Sequence, residues 1–277
     1  MNDLQLIIKD YEKDSLGIGN VLKNLISALR IHHDVVIRCA PEYIYGAYDQ
    51  ILADRYIATE HTTKVRETVT TARLIILRSE DGLQEDIPSE EWYMGGLNNP
   101  RFHHLCSFQK RIDWNYDPLR IHPHVKESIL HTIRGIEFRP IIHQEVERLS
   151  PFPRDSTLGV SIRTWKAHHE SNIGRAYDPS TYLQTMDSVL QQHPEIKTVV
   201  LSIDNHDYIG PYTAWCKDRG ITCHVLEKQD GVTAIQYALI KALTLSRCPY
   251  VIGNRISTFT ELIFWFGECK PVMYPIF

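Results

Sequence analysis

The sequence has no paired cysteines, no long apolar run and no large excess of charge of one sign. Its six cysteines are scattered over 277 residues without a C-x-x-C pair, so we expect reduced thiols rather than a disulfide framework or a zinc site. No apolar run reaches membrane-spanning length, and the N-terminus is too poor in apolar residues for a signal peptide. The net charge of −4 disfavours a dedicated nucleic-acid binder. These absences predict a cytoplasmic protein with no transmembrane segment and no nucleic-acid partner, and they assign no oligomeric state.

Metal-ligand spacing is also absent. Histidines occur in pairs at His103 and His104 and at His122 and His124, but acidic or cysteine partners do not stand at the usual spacings. Zinc sites combine histidines with such partners. The sequence therefore predicts no bound metal.

The N-terminal region contains an incomplete glycine motif. Gly17 and Gly19 match the start of G-x-G-x-x-G, but Leu22 occupies the place of the third glycine, which disfavours a dinucleotide cofactor. The loop can still bring backbone close to a ligand. Asn20 could cap a helix, bond a substrate, or do both.

Hydrophobic periodicity indicates a βαβ unit in the first half of the chain. Strands are predicted at 4–8 and 34–39, around a helix at 20–30, and a further strand is predicted at 72–77. The loop before the helix is expected to run to residue 19. One face of that helix is apolar and consists of Val21, Leu22, Leu25, Ile26 and Leu29. This order predicts a parallel sheet.

A proline-rich segment at 150–156 separates this region from a second regular alternation. Strands are predicted at 158–162, 198–203, 222–226 and 250–252, with helices at 179–192, 212–219 and 232–245 between them and a last helix after them. Asp178 followed by Pro179 predicts a helix N-terminus. The pattern predicts an α/β fold with two Rossmann-like domains, residues 1–150 and 151–277.

Polar residues follow three of the predicted strands in the second half. Ser161 and Arg163 end the first, Asp204 ends the second, and a turn with Gly253 leads into the last helix. Because the ends of parallel strands face one crevice, these groups should converge. Arginine presents paired donors to a diphosphate. Thr258, with a glutamate three residues on, has the capping-box pattern, and a helix start offers unpaired N–H groups to phosphate.

These motifs resemble those of the fucosyltransferase-like glycosyltransferases, which include the protein O-fucosyltransferases and the nodulation fucosyltransferases. Residues 17–20 resemble the family's N-terminal Gly-x-Gly-Asn loop, and residues 159–163 are similar to its His-x-Arg strand. Residues 238–259 are similar to its last helix, strand and Ser-Ser/Thr-Phe donor signature. The resemblance implies a GT-B-like fold with two Rossmann-like domains, whose parallel sheets face a central cleft. Residues 1–150 would form the acceptor side and residues 151–277 the donor-binding side.

The resemblance also implies roles for individual residues. Arg163 would hold the diphosphate and help the leaving group depart, and Asn20 would approach the transferred sugar or phosphate. Ser257 and Thr258 would donate hydrogen bonds to phosphate oxygens, and Phe259 would form one wall of the nucleotide site. The remaining donor-binding residues would be Gly17, Gly19, Ser161, Asp204, Lys241, Asn254 and Arg255.

The sequence departs from the family pattern at two places that matter. Ser161 stands where the strand motif has histidine, and the arginine and Gly-Asp that follow in the family are missing. Lys241 stands where the family usually has an aspartate that reads guanine, and an ammonium cannot accept the guanine N–H groups. The donor could therefore be GDP-fucose or a UDP-sugar such as UDP-xylose.

The implied reaction is an inverting transfer of the sugar to a glycan hydroxyl. The chain has no Asp-x-Asp motif, so we expect cationic side chains and helix dipoles to stabilise the diphosphate without a metal or other cofactor. Four residues could serve as the base or contact the acceptor, namely Glu12, Asp14, His168 and Glu170. The alternative is a nucleotide-sugar or carbohydrate-binding protein that has lost catalysis.

Overall fold

The computed structural model describes residues 5–9, 18–19, 22, 25–26, 29, 35–38, 48–57, 65–70, 116–120, 123–164, 177–255 and 257–276. Over these residues the chain is an α/β protein with two separate parallel sheets. It divides into two compact units. The first comprises Met1–Asp113, Asp117–His143 and Gly231–Leu239, and the second comprises Trp114–Tyr116, Gln144–Asp230 and Ile240–Phe277. The domain boundary at residue 150 stays a prediction.

The first sheet has the strand order β2-β1-β3, with β1 (Gln5–Lys9) between β2 (Val35–Arg38) and β3 (Val65–Thr70). Both pairings are parallel. The predicted strands at 4–8 and 34–39 are confirmed to within a residue or two. The strand predicted at 72–77 lies outside the described residues. β3 escaped prediction because only two of its six residues are apolar, although its valines and threonines suit a pleated strand.

Helical residues between β1 and β2 complete the predicted βαβ unit. Leu22, Leu25 and Ile26 are buried, so this part of the apolar stripe is confirmed. Gly19 is helical and buried, and the expectation that it lies in a loop is therefore wrong. Ile18 is buried one turn before Leu22, which extends the apolar stripe and the helix backwards.

The second sheet has the strand order β6-β5-β4-β7-β8, and all four pairings are parallel. Its strands are β4 (Thr157–Ile162), β5 (Thr198–Ile203), β6 (Thr222–Val225), β7 (Tyr250–Asn254) and β8 (Val272–Ile276). The four predicted strands are confirmed. β8 was missed because it contains Pro275, and proline argues against a central strand but is tolerated at the edge of a sheet.

Six α-helices have defined bounds in the described part of the chain. They are α1 (Pro123–Arg134), α2 (Pro140–Arg148), α3 (Pro179–Gln192), α4 (Gly210–Asp218), α5 (Ala234–Leu245) and α6 (Thr258–Phe266). The predicted bounds of α3 are confirmed. Its N-cap is Asp178, whose carboxylate accepts from the Ser180 N–H at 2.9 Å. Pro179 fits the first turn because an N–H at that position would have no intrahelical acceptor.

The core of the second unit lies between the sheet and its helices. Every residue of β4 and β5 is buried, as expected for parallel strands covered on both faces. Gly159 allows the end of α5 to approach β4, because a Cβ there would stand 3.1 Å from Leu245 Cδ2 and 3.2 Å from Cys248 Sγ. Close packing of α5 therefore depends on a glycine in β4.

The described cysteines are free thiols, three buried and one half-buried: Cys216, Cys248, Cys269 and Cys223. Cys39 and Cys106 lie outside the described residues. None of the helices described is both long enough and apolar enough to span a membrane.

Candidate functional site

The strand order of the second sheet reverses between β4 and β7. From β4 the chain adds β5 and β6 on one side, and it then crosses back to add β7 and β8 on the other. In open parallel sheets, ligands bind outside the C-terminal strand ends at such a switch point. A ligand site is therefore expected beside the residues that follow β4 and β7.

The end of β4 carries Arg163. Its side chain is half-buried, and its backbone N–H donates to Tyr182 Oη over 3.4 Å. Burial raises the pKa of Tyr182 to about 12, so the phenol keeps its proton at neutral pH. Ser161, two residues earlier, is buried at 8% exposure, which places it inside the sheet rather than at its rim.

Asp204 ties the end of β5 to the end of β4. Its carboxylate accepts from the Thr164 N–H, at 2.9 Å to Oδ1 and 3.0 Å to Oδ2, and from the Thr164 hydroxyl at 2.6 Å. Arg163 directly precedes Thr164 in the chain. These hydrogen bonds therefore fix the backbone next to Arg163.

Lys241 lies on α5 and is half-buried. Burial lowers its pKa, and the negative charge of Asp204 opposes that change. The Lys241 ammonium therefore interacts electrostatically with the same carboxylate that bonds to Thr164 after β4. An ammonium only donates hydrogen bonds, so this position suits a ligand with acceptor oxygens.

The β7–α6 connection is tight because Gly253 lies against Thr260. A Cβ on Gly253 would stand 2.6 Å from Thr260 Cγ2 and 2.8 Å from Thr260 Oγ1. The sequence suggested that Gly253 serves a turn, but it belongs to β7 and its role is this close approach. The turn itself forms after it, where the Ser257 N–H donates to Asn254 O over 3.2 Å.

α6 begins shortly after the C-terminal end of β7. Ser257 is its N-cap rather than the predicted Thr258, and the Ser257 hydroxyl makes no capping hydrogen bond. The Glu261 N–H donates to Ser257 O at 3.1 Å. The N–H groups before that bond have no intrahelical acceptor, and they concentrate the positive end of the helix dipole.

Tyr116 supports the β7–α6 turn from outside the sheet. Its hydroxyl donates to Arg255 O over 3.0 Å, and its ring meets Phe264 edge-on at 5.6 Å. Burial, and then the charge of Glu261, raises the pKa of Tyr116. The sequence carried no specific signal for this contact, because Tyr116 and Arg255 are far apart in the chain.

The structure places eight of the predicted site residues at the C-terminal ends of strands in the second sheet. Arg163, Asp204 and Lys241 gather near the ends of β4 and β5. Asn254 ends β7, and Arg255 and residues 257–259 follow it. Their roles as ligands stay predictions. Sequence reasoning missed Thr164 and Thr260, although both are hydroxylated residues beside motifs already identified. Six predicted residues lie outside those described: Glu12, Asp14, Gly17, Asn20, His168 and Glu170.

Within the described ranges, no group of three or more histidine, cysteine, aspartate or glutamate side chains could hold a metal ion. The residues that end or follow β4, β5 and β7 instead include Arg163 and a helix N-terminus, and Lys241 of α5 lies near Asp204. Such an arrangement can bind an anionic group through charge and hydrogen bonds.

Comparison with solved structures identifies the fold. POFUT1 in complex with GDP-fucose matches with a TM-score of 0.51 and 11% identity, over 96% of this chain and 94% of that one. Fucosyltransferase NodZ from Bradyrhizobium matches with a TM-score of 0.50 and 16% identity, over 95% and 93%. Arabidopsis thaliana FUT1 in complex with GDP, a point mutant, matches with a TM-score of 0.52 and 11% identity, over 98% and 70%.

No protein-family model and no curated protein sequence matches the chain. The structural likeness nevertheless extends over nearly the whole chain. The protein has the GT-B fold of the fucosyltransferases, as the sequence motifs predicted.

Proposed function

We propose that this protein is a glycosyltransferase that moves a sugar from a nucleotide-diphosphate donor to a glycan hydroxyl. The observation that carries the proposal is that Arg163 follows β4 and the N-terminus of α6 follows β7, on either side of the switch point between these strands. A diphosphate has two anionic groups, which suit one guanidinium and one helix N-terminus. The GT-B fold shared with fucosyltransferases supports the same reaction class.

The diphosphate is both the anchor and the leaving group of this reaction. Negative charge grows on it as the sugar departs, so donors held in place before the reaction lower the barrier. We assign that work to the Arg163 guanidinium and to the hydroxyls and N–H groups of Ser257 and Thr258. These cationic and dipolar groups make a metal unnecessary, and we propose a metal-independent enzyme on that basis.

We further propose inversion at the transferred carbon, with the acceptor hydroxyl attacking opposite the diphosphate. A base that accepts the hydroxyl proton contributes about 10²–10⁴ in rate. Asp14, His168 and Glu170 are the candidates, together with Glu12. Asn20 is assigned to the sugar or its phosphate.

Two donor classes compete at the base site. GDP-fucose is favoured by the structural neighbours, since POFUT1 was solved with GDP-fucose and FUT1 with GDP. A UDP-sugar such as UDP-xylose is favoured by Lys241, whose half-buried ammonium can donate to a uracil carbonyl but cannot accept from guanine. If the donor is GDP-fucose, the protein should bind GDP more tightly than UDP. If the donor is a UDP-sugar, it should bind UDP more tightly than GDP.

A thermal-shift and calorimetric panel of GDP-, UDP- and TDP-sugars tests the proposal directly. We expect one nucleotide class to raise the unfolding temperature and to bind without added metal, in the presence of EDTA. The absence of binding to every nucleotide sugar would overturn the proposal. A strict requirement for manganese would overturn metal independence alone.

The alternative function is that of a nucleotide-sugar or carbohydrate-binding protein that has lost catalysis. It is supported by the absence of the arginine and the Gly-Asp that follow the strand motif in the family. Slow hydrolysis of the bound donor in the absence of acceptor supports the enzyme. Tight nucleotide binding with neither hydrolysis nor transfer on any glycan supports the binding protein.

A further inference from the structure

Cys216 and Cys223 lie on neighbouring elements at the edge of the second sheet. Cys216 belongs to α4 and Cys223 to β6, and the connection between them is short. Gly220 turns the chain with a φ of 65°, and the Ile221 N–H donates to Cys216 O at 2.9 Å. The chain therefore folds back on itself, and both thiols join one hydrophobic cluster.

The two thiols differ in exposure. Cys216 is buried at 1% exposure, whereas Cys223 is half-buried on β6, which ends the order of strands in this sheet. A reagent can therefore reach Cys223 more easily than Cys216.

The thiols also differ in acidity because they interact with each other. The side-chain hydrogen bond between them lowers the pKa of Cys223 and raises the pKa of Cys216. Thiolates, not thiols, attack disulfides. The more exposed cysteine is thus also the better nucleophile.

We propose that Cys216 and Cys223 form a redox-active dithiol that small disulfides such as oxidised glutathione convert into an intramolecular disulfide. The Cys223 thiolate attacks one glutathione sulfur, which breaks the glutathione disulfide and releases one glutathione thiolate. Cys216 then attacks the Cys223 sulfur and displaces the second glutathione, whose thiolate takes up the Cys216 proton. Two electrons pass from the protein thiols to the oxidant, which leaves as two molecules of glutathione.

Cys248 provides an internal control in the same chain. It is also buried at 1% exposure, and burial alone raises its pKa. It lacks the partner that lowers the pKa of Cys223, and it packs against β4 beside Gly159. We expect Cys248 to stay reduced under conditions that oxidise the pair.

Peptide mapping of the full chain tests the proposal. The native protein is treated with oxidised glutathione, its remaining free thiols are alkylated after denaturation, and it is digested with trypsin without reduction. Trypsin cleaves after Lys217 and Arg219, so Cys216 and Cys223 fall in different peptides unless a disulfide joins them. We expect a joined peptide that lacks two hydrogen atoms and separates on reduction.

Two variants test the order of the steps. In Cys216→Ser, we expect Cys223 to accumulate one bound glutathione, because no second thiol can displace it. In Cys223→Ser, we expect Cys216 to stay unmodified, because it is buried. The proposal is overturned if the joined peptide does not form, if Cys248 oxidises as fast as the pair, or if either cysteine links elsewhere. These readouts need no sugar substrate, so they are independent of the proposed transferase activity.

Discussion

Near the N-terminal ends of β5 and β7, a histidine, a glutamate and two tyrosines hydrogen-bond to one another. Tyr250 donates to Glu195 at 2.7 Å, and His193 Nε2 lies 2.8 Å from Tyr274 Oη. The His193 and Tyr250 rings stack with centroids 3.9 Å apart. At the C-terminal ends of the strands, Arg163 follows β4, Asp204 follows β5, and the N-terminus of α6 comes after β7.

The comparison shows that polarity at a strand end does not by itself mark a functional site. Both ends of this sheet carry carboxylates and aromatic side chains, but the N-terminal cluster satisfies its own polar groups. The C-terminal end combines two cationic side chains and a helix N-terminus at the switch point of the strand order. Positive groups gathered at a switch point can bind an anionic ligand. Variants at each end test whether the two ends also differ in function.

The largest expected effect is on catalysis at the C-terminal end. Arg163→Ala should lower the rate of sugar transfer by about 10²–10³, because one preorganised donor to the departing diphosphate is lost. Arg163→Lys should recover only part of the rate, since lysine keeps the charge but not the planar pair of donors. The measurement is turnover at saturating donor, with circular dichroism as the check on folding.

The matched control lies at the other end of the sheet. His193→Ala should lower the unfolding temperature and leave the rate of transfer per folded molecule unchanged. A loss of transfer in the His193 variant as large as that in the Arg163 variant would remove the functional distinction between the two ends.

Gly253→Ala should have the largest effect on stability. Its Cβ would overlap Thr260, and overpacking of this kind costs about 1–3 kcal/mol. Gly210→Ala is the control, because nothing lies within 4 Å of a Cβ at that position. Urea denaturation of both variants measures the difference.

The double variant Gly253→Ala with Thr260→Ala sharpens this test. It removes Cγ2 and Oγ1, the two atoms closest to the new methyl group, and it should recover much of the lost stability. Thr260 Oγ1 is buried without a hydrogen-bond partner among the described residues, so its removal should cost little. Equal stability of the single and double variants would contradict the steric explanation.

Thr164→Val should have a smaller effect, on activity more than on fold. It keeps the shape of the side chain but removes the hydroxyl that donates to Asp204 at 2.6 Å. A hydrogen bond to a charged group is worth about 1.5–3 kcal/mol, so we expect transfer to fall by at most about a hundredfold. Thr164→Ser, which keeps the hydroxyl, should restore it. If valine and serine behave alike, the hydrogen bond to Asp204 does not position Arg163.

The smallest effect concerns acid stability at the N-terminal end. The hydrogen bond from Tyr250 lowers the pKa of Glu195, so the stability it contributes is present above the ordinary glutamate pKa. That contribution is lost as the pH falls through the lowered pKa. We expect Tyr250→Phe to be less stable than the natural chain near pH 7, and the difference to vanish in acid. Thermal unfolding across pH measures this, with Tyr208→Phe at an exposed tyrosine as the control.

Strands and helix ends that depend on local sequence were predicted correctly. β4 and β5 could be recognised because every residue in them is buried, so both strands are mostly apolar. The N-cap at Asp178 and the proline after it act within one helical turn, which is why α3 was predicted to the residue. The predictions weakened in β3 and β8, where charged residues or a proline interrupt the pattern.

The candidate site was predicted in part for a similar reason. Arg163 and Asp204 were found because each directly follows an apolar strand. The bond between Asp204 and Thr164, and the support of Arg255 by Tyr116, were not found, because hydrophobic periodicity carries no information about pairs far apart in the chain.

The sequence by itself determined that this is an α/β protein, where most of the strands and helices of its second unit lie, and which polar residues follow them. Local burial and capping decide these features, and both leave a pattern within a few residues. Only the tertiary structure decided the strand order that makes β4 and β7 neighbours. The tertiary structure alone showed why residue 253 must be glycine and how the Asp204 carboxylate fixes Thr164. Each of these depends on a distance between atoms that only the packed chain brings together.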